Sequence, residues 1–490
     1  METPALKDEI HKFFLNLQKV ASFHHDYILI HKRTPRLYLI SKKIYDEFKF
    51  NHKINLSIKD EYLRLKKWLY LPISNKFKGY EKEEAVISLR VSEDCNLACG
   101  YCYNKKNMLN KKNIKYMSPD IAKRALDFFI SKFNKKNICI VFYGGEPLLN
   151  FGTIKYILNY TRKAYKDRTF EFKLITNGTI LNKEIINEII KNDVKVMVSI
   201  DLPPSQHNRN RPFKDGTPSF KIINNNLKLL LKYIPFPNII LRTTISYDNR
   251  FTINDIISNF YRLRLPLDNF IIETEFGRRI SYSRRCNLEN QKKLLINEER
   301  NSLLNTDNKI IYKKEIIGNY LYTIISGEKS IRECIPLKNA LTVNPIGEFY
   351  LCDVSVNKEE FYLGNIESGF EQNKIKKLKK EYLKYQNDCL NCWASSFCGK
   401  FCFFIRNNRD LLLKNCIRLK NEFIDELYFF LKLNYKQIKK LILSALYFTQ
   451  DKNYINLQTP YLNLLMEIYK TLNHTNKYIR PINIIPFNQN

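Results

Sequence analysis

Between residues 86 and 280 the sequence alternates between short β-rich runs and amphipathic helical runs. The strands read "AVISLRVS", "ICIVFYG", "FEFKLIT", "VKVMVSID", "IILRTTI" and "NFIIETEF". One helix is predicted at "SPDIAKRALDFFISKF", with Ser118 as N-cap and Pro119 at the first helical position. Others start near residues 153, 182, 219 and 253. Six strand–helix steps of this kind make a parallel α/β sheet. Right-handed crossovers curl such a sheet into a closed or partial barrel, so the expected fold is a partial (β/α)6 TIM-like barrel. Loops after the strand C-termini then share one face, where such folds hold their sites. The segments "EDCNLACGYCYN", "YGGEP", "TNG" and "SID" all fall at those ends.

The chain has 490 residues, long enough for several domains. Residues 1–85 read as a small module: a helix in "METPALKDEIHKFF", a hairpin in "DYILIHKRTPRLYLIS" around Thr34-Pro35, then helical patterns. Residues 86–280 form the α/β core and 281–329 a helical bridge. Residues 330–418 are dense in cysteine and poor in regular pattern, and 419–490 look helical.

No run of eighteen apolar residues is present, and no basic-then-apolar signal opens the chain. The expectation is a cytoplasmic protein with no membrane partner. In a reducing compartment its 12 cysteines argue for metal over disulfides. The net charge of +32 has two readings, a polyanionic partner or mere composition. The lysines are spread along the whole chain, which favours composition, and no nucleic-acid partner is expected. The densest basic run, "KIKKLKKEYLKY" at 374–385, has the period of a solvated helix face.

Cys95, Cys99 and Cys102 follow the first strand with Cys-x3-Cys-x2-Cys spacing. A structural zinc site closes with four protein ligands. A [4Fe–4S] cube takes one ligand per iron, so three cysteines leave one iron open to a small molecule. Tyr101 and Tyr103 flank the last cysteine as aromatic cover. The motif resembles that of the radical S-adenosylmethionine (SAM) enzymes. The resemblance implies that SAM chelates the open iron, is cleaved by one electron, and releases a 5′-deoxyadenosyl radical that abstracts hydrogen from substrate. It further implies that Gly144, Gly145 and Glu146 of "FYGGEP" serve the methionine amino group, that Ser199 contacts the ribose or carboxylate, and that Arg211 pairs with the carboxylate. Leu202 stands where relatives usually carry glycine. Asn177 and Arg242 lie at strand ends too, as ligands or as structural residues.

A second array comprises Cys334, Cys352, Cys389, Cys392, Cys398, Cys402 and Cys416. Two interleaved zinc sites would use similar residues. The spacing resembles the SPASM extension of radical SAM enzymes, which holds two auxiliary iron–sulfur clusters, three [4Fe–4S] clusters in all. By that resemblance Cys389, Cys392, Cys398 and Cys416 hold the distal cluster, and Cys334, Cys352 and Cys402 the proximal one. Glu328 occupies the position of the expected fourth proximal ligand, so that cluster has an open iron or a remote ligand such as Cys286. Cys139, inside a predicted strand, is expected in the core. Asp353 matches the residue that takes a proton from the oxidising carbon in anaerobic sulfatase maturases, or else it caps a turn.

Such enzymes mostly act on peptides or proteins. The N-terminal module, "CWASSFC" and "HNRNRPFKDGTPSF" resemble features of ribosomal-peptide maturases. "CGKFC" departs from the usual glycine-rich run with Lys400 and Phe401. The implied partners are a precursor peptide, its leader held by the N-terminal module, and an electron donor such as flavodoxin or ferredoxin. The implied reaction installs a thioether or carbon–carbon crosslink, or an oxidation. The alternatives are a formylglycine-generating sulfatase maturase, an RNA-modifying radical enzyme, and a non-catalytic binding protein.

Overall fold

The computed structural model describes residues 18–23, 26–30, 37–41, 84–102, 115–234, 238–245, 253–265, 270–274 and 339–383, with scattered positions up to 421. Strands β1 (Gln18–Phe23), β2 (Asp26–Ile30) and β3 (Leu37–Ser41) form an antiparallel sheet in that order. β2 and β3 are the two arms of the predicted hairpin, with Ile30 opposite Leu37. β1 was not predicted. The helix expected in the first residues lies outside the described residues.

The core runs β4 (Glu84–Ser92), α1 (Pro119–Phe133), β5 (Asn137–Gly144), α2 (Phe151–Ala164), β6 (Thr169–Thr176), α3 (Lys183–Lys191) and β7 (Lys195–Ser199). It continues with α4 (Pro204–Asn210), α5 (Phe220–Tyr233), β8 (Ile239–Ile245), α6 (Ile253–Arg262) and β9 (Phe270–Thr274). β4 to β9 are neighbours in sequence order, and every pairing is parallel. This is the predicted strand–helix alternation. α1 starts as expected, with the Ser118 side chain accepting from the Ile121 N–H.

The side-chain period of two sorts each strand into two faces. Ala85, Ile87, Leu89 and Val91 of β4 share one apolar core with Ile138, Ile140 and Phe142 of β5 and with Ala122, Leu126 and Phe129 of α1. The intervening residues face away from the helices, into the barrel. They include Arg90 and its ladder partner Tyr143, and a row in which Ser88, Val141, Lys173 and Lys195 pair in turn. Glu171 ties that row together, 2.6 Å from Lys173 and 3.0 Å from Lys195. Cys139 is buried in β5, as its strand context predicts.

The sheet does not stop at β4. β10 (Ala340–Val343) adds parallel to the outer edge of β4, with Val343 opposite Leu89. β11 (Glu348–Tyr350), β12 (Tyr362–Asn365) and β13 (Gly369–Phe370) follow as an antiparallel meander, making ten strands. The expectation of little regular pattern here is overturned. These strands are two to four residues long, too short to show an alternation. Phe349 seals the extension by stacking on Phe128 of α1 at 4.7 Å. α7 (Gln372–Leu383) closes the region. It buries Ile375 and Leu378 and exposes Lys376, Lys377, Lys379 and Lys380, the solvated basic face its period predicts. Among the described residues no helix is long and apolar enough to cross a membrane.

Candidate functional site

β4 delivers the cysteine loop to the mouth of the sheet, and two neighbouring segments hold it there through backbone. From one side, the Gly145 N–H donates to Ser92 O (2.9 Å) and the Glu146 N–H to Asp94 O (2.7 Å). The two glycines are required by this approach: a Cβ on Gly144 would lie 2.1 Å from Ser92 O, and one on Gly145 2.0 Å from Asp94 O. What comes close to the glycines is thus the cysteine loop itself. From the other side, the Ala98 N–H donates to Pro212 O and the Gly100 N–H to Asn210 O, and Leu97 bridges Phe213. Lys214 Nζ closes on Asp94 at 2.5 Å.

Glu146 is fully buried. Its carboxylate accepts from Leu148 N (3.0 Å), Thr176 Oγ1 (2.8 Å) and Asn177 N (2.7 Å), so it splints the loop after β5 to the end of β6. Burial pushes it up to about 7 although these donors oppose the rise. Asn177 carries the splint onward. Its Nδ2 donates to Asn96 Oδ1 at 2.9 Å and approaches Cys95 Sγ at 3.6 Å.

Tyr101 sits in a buried polar cluster that the sequence did not reveal. Its hydroxyl donates to Asp201 Oδ2 at 2.7 Å, and the Arg211 guanidinium lies 5.1 Å over its ring. Arg211 Nε is 3.1 Å from the same Asp201 oxygen. Burial alone would raise Asp201, but the Arg211 charge and these hydrogen bonds carry it below its ordinary value. His207 Nδ1 accepts from the Asp201 N–H at 3.1 Å, which assigns the proton to Nε2, 3.0 Å from Ser219 Oγ. Burial depresses His207 to about 4, so the imidazole is neutral. Arg211, expected from the family resemblance to meet a SAM carboxylate, is here engaged with Asp201. Ser199 ends β7 with Arg242 opposite it on β8. Leu202 is buried.

The three thiols fit an iron–sulfur cluster by the chemistry of the donor set. Burial, with neighbouring thiols adding to it, pushes Cys95 up to about 12 and Cys99 to about 11. Buried thiolates this close together need a compensating cation. A cubane spreads its ligands over separate irons.

Of the second array, Cys352, Cys392, Cys398 and Cys416 are partly buried. Cys334, Cys389 and Cys402, like Cys286 and Glu328, lie outside the described residues. Cys352 caps the turn Asp353–Ser355, its N–H donating to Ser355 Oγ at 2.9 Å. Burial pushes it up to about 11. Burial also raises Asp353, against the opposing charges of Arg242 and Arg90. Asn357, from the same loop, donates to Glu93 beside the cysteine loop at 3.1 Å.

A model of the Radical SAM superfamily matches residues 89–257. The chain is 26% identical over 396 residues to the radical SAM cyclopropyl synthase TigE of Paramaledivibacter caminithermalis, covering 73% of this chain and 79% of that one. It is 32% identical over 299 residues to the uncharacterized protein MJ0907 of Methanocaldococcus jannaschii, covering 59% of this chain and 90% of that one. A solved structure of native anSMEcpe with bound AdoMet shares the fold, with a TM-score of 0.57 at 20% identity over 74% of this chain and 99% of the other. The chain belongs to the radical SAM superfamily.

Proposed function

We propose that this enzyme is a maturase that modifies a ribosomally made precursor peptide by radical chemistry. The observation that carries the reading is the clamped cysteine loop. Cys95, Cys99 and Cys102 are presented on one loop at the sheet mouth, locked by Gly144, Gly145 and Glu146 on one side and by residues 210–214 on the other. The similarity to the cyclopropyl synthase supports radical-based modification.

Cys95, Cys99 and Cys102 would hold a [4Fe–4S] cluster, which with SAM would supply the radical chemistry that takes hydrogen from a peptide Cα or Cβ. The protein's own share is positional. The clamp fixes the loop, Glu146 splints the loop after β5 to the end of β6, Ser199 is assigned to SAM, and Arg211 braces Tyr101 through Asp201. Once hydrogen is gone, crosslinking or oxidation sheds a proton and an electron; Asp353 is the carboxylate assigned to take the proton, and the electron would pass to an auxiliary cluster. Cys352, Cys392, Cys398 and Cys416, with Cys334, Cys389 and Cys402, are assigned to two auxiliary clusters. The N-terminal sheet is assigned to the leader, which can pair with a strand edge.

Anaerobically reconstituted chain, SAM and dithionite should release 5′-deoxyadenosine, and a Cys95→Ala variant should not. Mass spectrometry of a co-expressed precursor from a neighbouring reading frame then reads the product. A crosslink with loss of a hydrogen pair supports the proposal. An aldehyde trapped by a hydrazide supports the second reading, a formylglycine-generating enzyme, which Asp353 beside Cys352 favours. No 5′-deoxyadenosine refutes both.

A further inference from the structure

Among the described residues, Arg90 is a fully buried charge that the site described above does not use. It lies on β4, two residues before the strand end and five before Cys95. It is 0% exposed, and none of its three guanidinium nitrogens has a hydrogen-bond partner among the described residues. Its neighbours in β4, Leu89 and Val91, belong to the helix-side core, so Arg90 faces the barrel interior.

The carboxylates nearby are committed elsewhere. Glu171 is shared by Lys173 and Lys195. Asp201 is taken by Arg211, Tyr101 and Asn210. Asp353 accepts no hydrogen bond from Arg90. Arg90 thus holds a buried positive charge with no hydrogen-bonded counterion among the described residues. A buried charge without a partner is strongly destabilising. A planar fork of donors is matched by a carboxylate, which it can grip bidentately.

We propose that Arg90 binds a carboxylate of the substrate inside the barrel, either an acidic side chain of the target peptide or its C-terminus, and so sets which residue is presented to the cysteine-loop mouth. The inference rests on the peptide reading above. It is a binding claim, so it can fail while the radical reading stands, and release of 5′-deoxyadenosine by the wild-type chain tests that reading alone.

The test uses the reconstituted full chain with SAM and three small probes. N-acetylglutamic acid N-methylamide carries only a side-chain carboxylate, N-acetylalanine only a terminal one, and N-acetylglutamine N-methylamide neither. At about 10 mM, one of the two acids should raise the melting temperature by about 2 °C or more, and the amide should not. The acid that succeeds identifies the source. The shift should vanish in Arg90→Gln and Arg90→Met and survive in part in Arg90→Lys, which keeps a point charge. Without probe, Arg90→Met should melt at or above the wild type, because it removes an unpaired buried charge. The proposal is overturned if neither acid shifts the wild type, if the shift survives in Arg90→Met, or if ligand-free Arg90→Met and Arg90→Gln melt about 5 °C or more below it. It is also overturned if both variants lose about tenfold in SAM affinity, about 1.4 kcal/mol, since the partner is then the carboxylate of SAM.

Discussion

Glu146 has no exposed atom, and its three donors do not offset the cost of burying its charge. A carboxyl held up at about 7 binds its proton more tightly in the folded chain than in the unfolded one. That stability is complete below the ordinary value of 4.5 and is lost as pH rises through about 7. Urea melts of the ligand-free chain at pH 5.5 and 7.5 should therefore show a fall in stability that Glu146→Gln largely removes, on the order of 1–2 kcal/mol. Asp201 runs the other way. Asp201→Asn strands the buried Arg211 charge and should cost about 3–5 kcal/mol by the same melts, whereas replacing Asp201 and Arg211 together with apolar residues should cost much less. Sequence spacing pointed to the cysteines, the glycine pair and Glu146 because each lies within a short motif. It pointed to neither Asp201 nor His207 as a brace, because their partners Tyr101 and Ser219 lie 100 and 12 residues away.

At the scale of elements, the clamp on the cysteine loop depends on an absent methyl group. Gly145→Ala would drive a Cβ into Asp94 O and should cost about 1–3 kcal/mol. Its reconstituted form should show a weaker SAM-sensitive cluster signal by electron paramagnetic resonance. Gly152→Ala, in α2 with open space at its Cβ, should match the wild-type signal and gain about 0.5–1 kcal/mol. The long elements were legible because their periods repeat: the parallel strands alternate two ways and α1 announces its own cap. β10 to β13 were not, because a strand of two to four residues gains its identity from the edge it joins.

At the scale of the molecule, that edge is decisive. The sheet ends at β4 only if the chain stops short of β10, and β4 then presents a row of unpaired backbone groups beside Leu89 and Ile87. A chain ending at residue 330 should lose about tenfold or more in soluble yield, read by sedimentation of a lysate. The same pairing has a consequence in time. β4 leaves the ribosome about 250 residues before the strand that covers its outer edge. At about 5–20 residues per second this is roughly 13–50 seconds. The segment at 210–214 that grips the cysteine loop arrives midway through that interval. The three thiols therefore spend their first moments on a half-built floor, accessible to whatever delivers iron, and β10 later shuts the scaffold around a site that can already be loaded.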